Sequence, residues 1–321
     1  MEAMDMSNRF IITAKNLKIG YETDDGVVWA VKGVSFDVIE KTSFCLVGES
    51  GSGKTSIGNA ISGLLPPYSI TKGVLIVNNK YVVNEDKTDF RSVRGTVVRI
   101  PQNPSAALSP YTKISDLFMD VVRNAYNRIN KEQAVELIRK YLQMVNLPED
   151  VLNMYPHQLS GGMAQRVAIA LSLSINPKII VADEPTSNLD AYLRGAIGNI
   201  LRELVNSGIT LIVITHDILF ASHVCRNIAV MYRGKIIEIG RVEDILSNPI
   251  HPYTIELIEA ATLQKGNGPK KASIATHSSS KGCVYINRCP FAFSKCYEEP
   301  NIVFIKNGHG VACWRAEKLY V

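Results

Sequence analysis

Hydrophobic residues between positions 10 and 260 alternate between short unbroken runs and spaced, helix-like repeats. The runs SFCLVG, TVVRI, KIIVADE and TLIVITHD lack polar alternation, which is typical of strands buried on both faces of a sheet. Residues 134–145 and 193–204 instead place their apolar side chains on one face of a helix. This alternation of strands and helices predicts an α/β fold with a parallel sheet.

Two parts of the chain depart from that alternation. Residues 10–39 and 73–83 have strand patterns with no helix between them, which predicts a smaller antiparallel sheet beside the core. Residues 265–281, KGNGPKKASIATHSSSK, are polar and are predicted to form a linker. The sequence is therefore divided into a main domain at residues 8–262 and a linker with a small cysteine-rich extension at residues 263–321.

Composition places the chain among globular proteins. It has 321 residues, of which 46% are hydrophobic, enough to bury a large core. No run approaches the roughly 18 uncharged apolar residues of a membrane span, and MEAMDMSNRF lacks the pattern of a secretory signal. We therefore expect a cytosolic location. The net charge of +5 comes from scattered basic residues, so no nucleic acid is expected as a partner.

The segment GESGSGKT fits the pattern G-x-x-x-x-G-K-[ST], after an apolar run and before a helical one. Such a turn directs backbone N–H groups at phosphate oxygens, and the helix that follows favours an anion at its N-terminus. We expect Lys54 to contact the β- and γ-phosphates of ATP and Thr55 to hold Mg²⁺. A chance glycine-rich turn is the alternative, and the flanking strand and helix argue against it. The residues predicted to surround the nucleotide here are Gly48, Glu49, Ser50, Gly51, Ser52, Gly53, Lys54, Thr55 and Ser56.

Two further apolar runs end in polar residues that suit phosphate chemistry. The run IIVA is followed by Asp183 and Glu184, and the run LIVIT by His216. Ligands of open α/β sheets bind at the strand ends, so Asp183 is predicted to reach Mg²⁺ and Glu184 to polarise the attacking water. His216 is predicted to donate a hydrogen bond to the γ-phosphate. An exposed acidic pair and a structural histidine are the alternatives.

The segment LSGGMAQR, together with GESGSGKT, IIVADE, SNLD and THD in this order, resembles the ATP-binding subunits of ABC transporters. The resemblance covers about residues 10–260. It implies a P-loop NTPase core with an antiparallel β subdomain and an α-helical subdomain that carries the signature motif. It also implies that two such domains pair head to tail, so that Ser160, Gly161 and Gly162 of one close over ATP bound to the other. A serine at the start of a helix suits this role because the free N–H groups can bind a phosphate.

The same resemblance implies roles for further residues. Tyr21 stands where an aromatic ring stacks on adenine. Gln102 corresponds to the glutamine that reaches Mg²⁺ and the attacking water, in a loop that touches the membrane subunit. Asp190 corresponds to the aspartate that crosses the dimer interface, and Asn188 replaces the alanine that is most common there.

Four of the six cysteines lie within the last 39 residues. In a reducing compartment such a cluster favours a metal site over disulfides. The segment NPIHPYTIELIEA before these cysteines, and QNPSAALSP earlier, resemble the oligopeptide and dipeptide importer branch, which implies a [4Fe-4S] cluster, with Zn²⁺ as the alternative. Four thiols without metal are a third possibility. The predicted ligands are Cys283, Cys289, Cys296 and Cys313, whereas Cys45 and Cys225 are expected to be ordinary core residues.

The expected function is ATP hydrolysis that drives a multi-subunit ABC importer at the cytoplasmic face of the membrane. The resemblance implies a second ATPase subunit, two transmembrane permease subunits and an extracellular solute-binding protein as partners. The second ATPase is expected to be a different polypeptide. Peptides are the expected cargo, with oligosaccharides or nickel as alternatives. The alternative function is a soluble ABC-type ATPase whose tail is a redox or metal-dependent docking module.

Overall fold

The computed structural model of the protein describes residues 10–126, 128–187, 189–262 and 282–316. The strands in this part of the chain are β1 (Phe10–Thr23), β2 (Gly26–Ile39), β3 (Ser43–Val47), β4 (Ser69–Val77), β5 (Lys80–Asn84), β6 (Lys87–Thr88), β7 (Val97–Ile100), β8 (Ile179–Asp183), β9 (Thr210–Thr215), β10 (Asn227–Tyr232), β11 (Lys235–Arg241), β12 (Val303–Phe304) and β13 (Gly310–Val311). The helices are α1 (Lys54–Ile61), α2 (Pro104–Ala107), α3 (Ile114–Ala125), α4 (Lys131–Met144), α5 (Gly161–Leu173), α6 (Ala191–Asn206), α7 (Ile218–Val224), α8 (Val242–Ser247) and α9 (Pro252–Thr262). The predicted linker and Asn188 lie outside the described residues.

The strands form two sheets. The smaller is a five-stranded sheet in the order β2-β1-β4-β5-β6, with its strands antiparallel. This confirms the antiparallel subdomain expected from residues 10–39 and 73–83. The larger has eight strands in the order β12-β13-β11-β10-β3-β9-β8-β7. Its strands from β10 to β7 run parallel, which confirms the parallel core, and they are almost wholly buried because helices and the first sheet cover its faces.

The predicted amphipathic helices are α4 and α6. Asn130 starts α4 with a capping box, in which its side chain accepts from the N–H of Gln133 at 2.8 Å and its own N–H donates to the Gln133 side chain at 3.2 Å. Ile138 and Leu142 of α4 are buried in one core with Leu201 and Leu204 of α6. Both helices therefore form because one apolar face is removed from water.

The C-terminal extension, residues 282–316, packs on the main domain and shares part of its core. Its strand β13 pairs antiparallel with β11 and so widens the large sheet. Tyr285 is buried against Tyr232 and Tyr253, with ring centroids 5.2 and 5.6 Å away. The extension is thus held by backbone pairing and by burial of an aromatic cluster.

A buried carboxylate also joins the extension to the main domain. Glu238 of β11 is fully buried, and its oxygens accept from the N–H groups of Ile250 and His251 at 2.9 and 3.0 Å. His309 of the extension lies 2.7 Å from the same carboxylate through Nε2. A buried charge is costly unless it is paired and hydrogen-bonded, and these contacts meet that need.

Cys45 and Cys225 are buried in the core, as expected, but they form a disulfide and are therefore not ordinary core residues. Their Cα atoms are 5.9 Å apart, and the bond links the middle of β3 to the residue after α7. The sequence could not show the pair because 180 positions separate the two cysteines.

Candidate active site

The glycine-rich turn between β3 and α1 forms a cradle whose backbone excludes larger residues. At Gly48 an added Cβ would lie 2.1 Å from the carbonyl oxygen of Met231. At Gly53, where φ is 99°, it would lie 2.4 Å from the carbonyl oxygen of Ala30. Such contacts are forbidden to a side chain, so the turn requires glycine at both positions. Gly53 is also the N-cap of α1, so that helix points its free N–H groups at the cradle.

Lys54 is buried at the base of this cradle. Its ammonium group donates to the carbonyl oxygens of Gly48 and Glu49 at 2.7 and 2.9 Å. Burial lowers the pKa of Lys54, and the nearby carboxylates of Glu184, Asp183 and Glu49 oppose that shift. The carbonyl groups and the nearby carboxylates favour the charged form of Lys54, and a charged ammonium at this position can bind a polyphosphate.

Asp183 ends β8 directly below the cradle and is almost completely buried. The Thr55 hydroxyl lies 3.4 Å from its Oδ1 atom. A carboxylate beside a hydroxyl offers the oxygen ligands that Mg²⁺ prefers, so the two residues fit the predicted magnesium site.

Arg99 of β7 is a member of this site that sequence analysis missed. Its guanidinium forms an ion pair with Asp183 and a hydrogen bond with the Asn59 side chain of α1. Within the run TVVRI, Arg99 is simply a polar residue of a predicted strand, and no sequence pattern indicates that it contacts Asp183 on the neighbouring strand. Arg99 thereby neutralises a buried charge beside the phosphate cradle.

Glu184 follows Asp183 and turns away from it. Its φ of 46° lies in the left-handed region, and its N–H donates to the carbonyl of Ile214 at 2.8 Å. Its side chain is 16% exposed, and His216 Nδ1 lies 2.9 Å from one of its oxygens. Because a carboxylate can only accept, this Nδ1 carries the proton in the contact. The predicted hydrogen bond from His216 to the γ-phosphate would then have to involve the other ring nitrogen, Nε2.

Two of the predicted catalytic residues, Gln102 and Glu184, line one cavity of about 210 Å³ together with Ala30 and residues 50–56. The third, His216, is not part of that lining and contacts Glu184 instead. The backbone carbonyl of Gln102 accepts from the Ser187 hydroxyl at 3.3 Å, so two of the site's loops touch. Tyr21 lies beside the cavity, where its hydroxyl donates to Ser56 at 2.8 Å. The structure thus brings Gln102 and Glu184 to the cradle and places Tyr21 next to it.

The segment LSGGMAQR lies outside this cavity. As predicted, Ser160 is the N-cap of α5, with its Oγ accepting from the N–H of Met163 at 3.3 Å. Gly162 packs toward Leu193 of α6, whose own N-cap is the exposed Asp190. Among the described residues, none of this segment lines the cavity of its own chain.

Comparison with known proteins decides the family. The oligopeptide transport ATP-binding protein OppD of Haemophilus influenzae is 36% identical over 318 residues, which cover 96% of this chain and 98% of OppD. The dipeptide transport ATP-binding protein DppD of Bacillus subtilis is 35% identical over 95% of this chain and 94% of its own. This chain belongs to the ABC transporter ATP-binding proteins. It is an ABC ATPase, and ATP hydrolysis by this family powers transport.

Family and structural comparisons agree with this assignment. The ABC transporter family matches residues 31–187, and the C-terminal region of oligopeptide/dipeptide transporters matches residues 237–296. A dimeric post-hydrolysis structure of the ATP-binding cassette MJ0796, bound to ADP and Pi, has a TM-score of 0.64 and 28% identity, and covers 72% of this chain and 98% of that one. The cbiO1 structure from Clostridium perfringens has a TM-score of 0.64 and 26% identity, and covers 80% of this chain and 96% of that one.

The extension of this ABC ATPase does not support the predicted metal centre. Within the described residues, no three His, Cys, Asp or Glu side chains are arranged to hold a metal ion. The four tail cysteines are free thiols, namely Cys283, Cys289, Cys296 and Cys313. Neither a [4Fe-4S] cluster nor Zn²⁺ is therefore supported.

In the described part of the chain, no helix has both the length and the apolarity required to cross a bilayer.

Proposed function

We propose that this ABC ATPase is the ATP-hydrolysing subunit of an importer for oligopeptides or dipeptides, and that it acts at the cytoplasmic face of the membrane. The observation that best supports this proposal is the cavity that Gln102 and Glu184 line together with the phosphate cradle around Lys54. The peptide branch is supported by the match of residues 237–296 to the oligopeptide/dipeptide transporter C-terminal region. Oligosaccharide cargo and a soluble docking protein have no such support among the comparisons.

Each side chain of the site has its own role in ATP hydrolysis. Lys54 and the N–H groups of the cradle bind the phosphates, and Thr55 with Asp183 would hold Mg²⁺, which neutralises phosphate charge when bound. Glu184 accepts a proton from the attacking water, since it is a carboxylate that lines the cavity. His216 holds the Glu184 carboxylate in position through its Nδ1–H group.

The pocket is completed by a second ATPase subunit. The helix that Ser160 caps presents free N–H groups away from its own cavity, so it is available to a nucleotide on a partner. Asp190 lies exposed at the start of α6 and would face the same partner. We propose a different polypeptide as that partner, together with two permease subunits and an extracellular solute-binding protein.

Reconstitution in vesicles with permease and binding protein tests the function. Glu184→Gln should still bind ATP but lose ATP turnover and labelled-peptide uptake by about 100-fold or more, because the water loses its base. Glu203→Gln is the matched control, since Glu203 is an exposed acid on α6. Normal turnover in Glu184→Gln would refute the assignment of the base. Active ATP hydrolysis without peptide uptake in the wild-type complex would refute the proposed cargo.

A further inference from the structure

The phosphate cradle is held from outside by the C-terminal extension. Glu49, the second residue of the GESGSGKT segment, donates its backbone N–H to the Tyr253 hydroxyl at 2.9 Å. Its carboxylate accepts from Nη1 of Arg288 at 2.8 and 3.1 Å. Arg288 lies 239 positions further along the chain, in the extension. The backbone and the side chain of one cradle residue are thus both held by distant elements.

Arg288 is itself fixed by its surroundings. Its Nη2 atom donates to Glu256 of α9 at 2.8 Å, and Tyr285 donates its hydroxyl to the other oxygen of that carboxylate. The guanidinium lies over the rings of Tyr232 and Tyr285, 5.8 and 5.6 Å from their centroids. An arginine held by two carboxylates and two rings has a defined position, so it can restrain Glu49.

The charge of Glu49 matters because the cradle receives an anion. The Glu49 carbonyl oxygen accepts from the Lys54 ammonium at 2.9 Å, and the Glu49 carboxylate is among the acids that counter the lowering of the Lys54 pKa by burial. An unpaired carboxylate at this position would repel a triphosphate. Arg288 removes that repulsion by pairing with it.

We propose that Arg288 is a positioning residue of the nucleotide site, which holds and neutralises Glu49 and so raises the affinity of the cradle for ATP. The extension then belongs to the nucleotide site as well as to the fold. This inference rests on the proposed function only in requiring that the cradle binds ATP. The competing explanation is that Arg288 merely attaches the extension to the main domain.

Binding of a fluorescent ATP analogue with Mg²⁺ to the purified full-length subunit tests the proposal. Arg288→Met keeps the length of the side chain and removes its charge. Its Kd for the nucleotide should rise about threefold to fivefold, the effect expected of a partly exposed ion pair. In steady-state turnover KM should rise while kcat stays unchanged, since Arg288 does not touch the reacting atoms.

The matched control is Arg315→Met. Arg315 also belongs to the extension, and its guanidinium lies 3.7 Å from the ring centroid of Phe291, within the extension itself. This variant should bind the nucleotide like the wild type. If Arg315→Met weakens binding as much as Arg288→Met does, the effect is a general loosening of the extension and the proposal is overturned.

A second substitution separates charge neutralisation from attachment. Adding Glu49→Gln to Arg288→Met removes the exposed carboxylate, so the Kd should return to within about twofold of the wild-type value. A purely structural Arg288 predicts no such rescue, and a double variant as weak as Arg288→Met alone would overturn the proposal. Should Arg288→Met not fold, Arg288→Gln removes the charge and keeps a hydrogen-bonding side chain. Its Kd should also rise about threefold to fivefold, and a Kd equal to that of the wild type would contradict the proposal.

A wild-type subunit that does not bind the analogue would instead contradict the proposed function. The two failures are therefore distinguishable in one assay.

Discussion

Removing the Cys45–Cys225 disulfide should destabilise the protein strongly. The perturbation is Cys45→Ala combined with Cys225→Ala. The bond joins positions 180 residues apart, so it restricts the unfolded chain over more than half of its length. The chain-entropy relation for a loop of this size gives a loss of about 5 kcal/mol in the free energy of unfolding.

That loss can be expressed as a melting temperature. With about 2.1 cal/mol/K of unfolding entropy per residue, a chain of 321 residues loses about 1.5 °C in Tm for each kcal/mol. Loss of the bond alone should therefore lower Tm by about 7 °C, and the double variant, which also loses two buried sulfurs at about 1–2 kcal/mol each, should melt about 10–13 °C below the wild type in differential scanning calorimetry. Cys289→Ala is the matched control because Cys289 is also buried but has a free thiol. It loses only the burial of one sulfur, about 1–2 kcal/mol, and should melt within about 3 °C of the wild type.

Thiol titration in denaturant checks the bond directly. The unreduced wild-type chain should react at four thiols and the reduced chain at six, because the other cysteines are free. Six reactive thiols before reduction would refute the disulfide. A double variant that melts together with Cys289→Ala would refute the stability argument even if the bond forms.

Two further perturbations concern buried charges. Arg99→Met leaves Asp183 buried without its ion pair and should lower the free energy of unfolding by about 3 kcal/mol when no ligand is bound. Because Mg²⁺ supplies a replacement charge, Mg²⁺ and ADP should raise the Tm of this variant more than that of the wild type. An equal rise in Tm would contradict the pairing. Burial lowers the pKa of His251 to about 3. Between about pH 6.5 and pH 3 the unfolded chain therefore binds a proton at this residue that the folded chain does not bind. The free energy of unfolding falls as the pH drops through this range. His251→Gln should reduce this slope by up to about 1.4 kcal/mol per pH unit in denaturant titrations, and an unchanged slope would show that other groups cause it.

The sequence predicted those parts of the fold that depend on neighbours along the chain. The parallel core, the antiparallel sheet, α4 and α6 follow from periodicity within single segments. The Ser160 cap follows from one residue beside a helix. GESGSGKT is local in the same sense, because the φ of 99° at Gly53 favours glycine whatever lies nearby. The structure of such a segment is determined mainly by residues within the segment itself.

The missed features all join residues that are distant in sequence. Arg99 meets Asp183 across the sheet, Arg288 meets Glu49 across 239 positions, and Cys45 meets Cys225 across 180. No periodicity or motif encodes such pairs. The metal centre expected from the cysteine spacing is not supported, since spacing along the chain does not fix how the four thiols are arranged in space, and in the described residues they do not form a metal-binding group.

The contacts of Glu49 also bear on how the extension and the nucleotide influence each other. If Arg288 raises the affinity of the cradle for ATP, bound ATP must strengthen the contact of Arg288 with the cradle by the same factor, because binding free energies are reciprocal. Tyr253 lies in the same network, with its hydroxyl accepting from the Glu49 N–H group and its ring packed on Tyr232. These contacts join the cradle to both α9 and the extension. If Arg288 acts in this way, the attachment of the extension and the occupancy of the nucleotide site form one linked equilibrium.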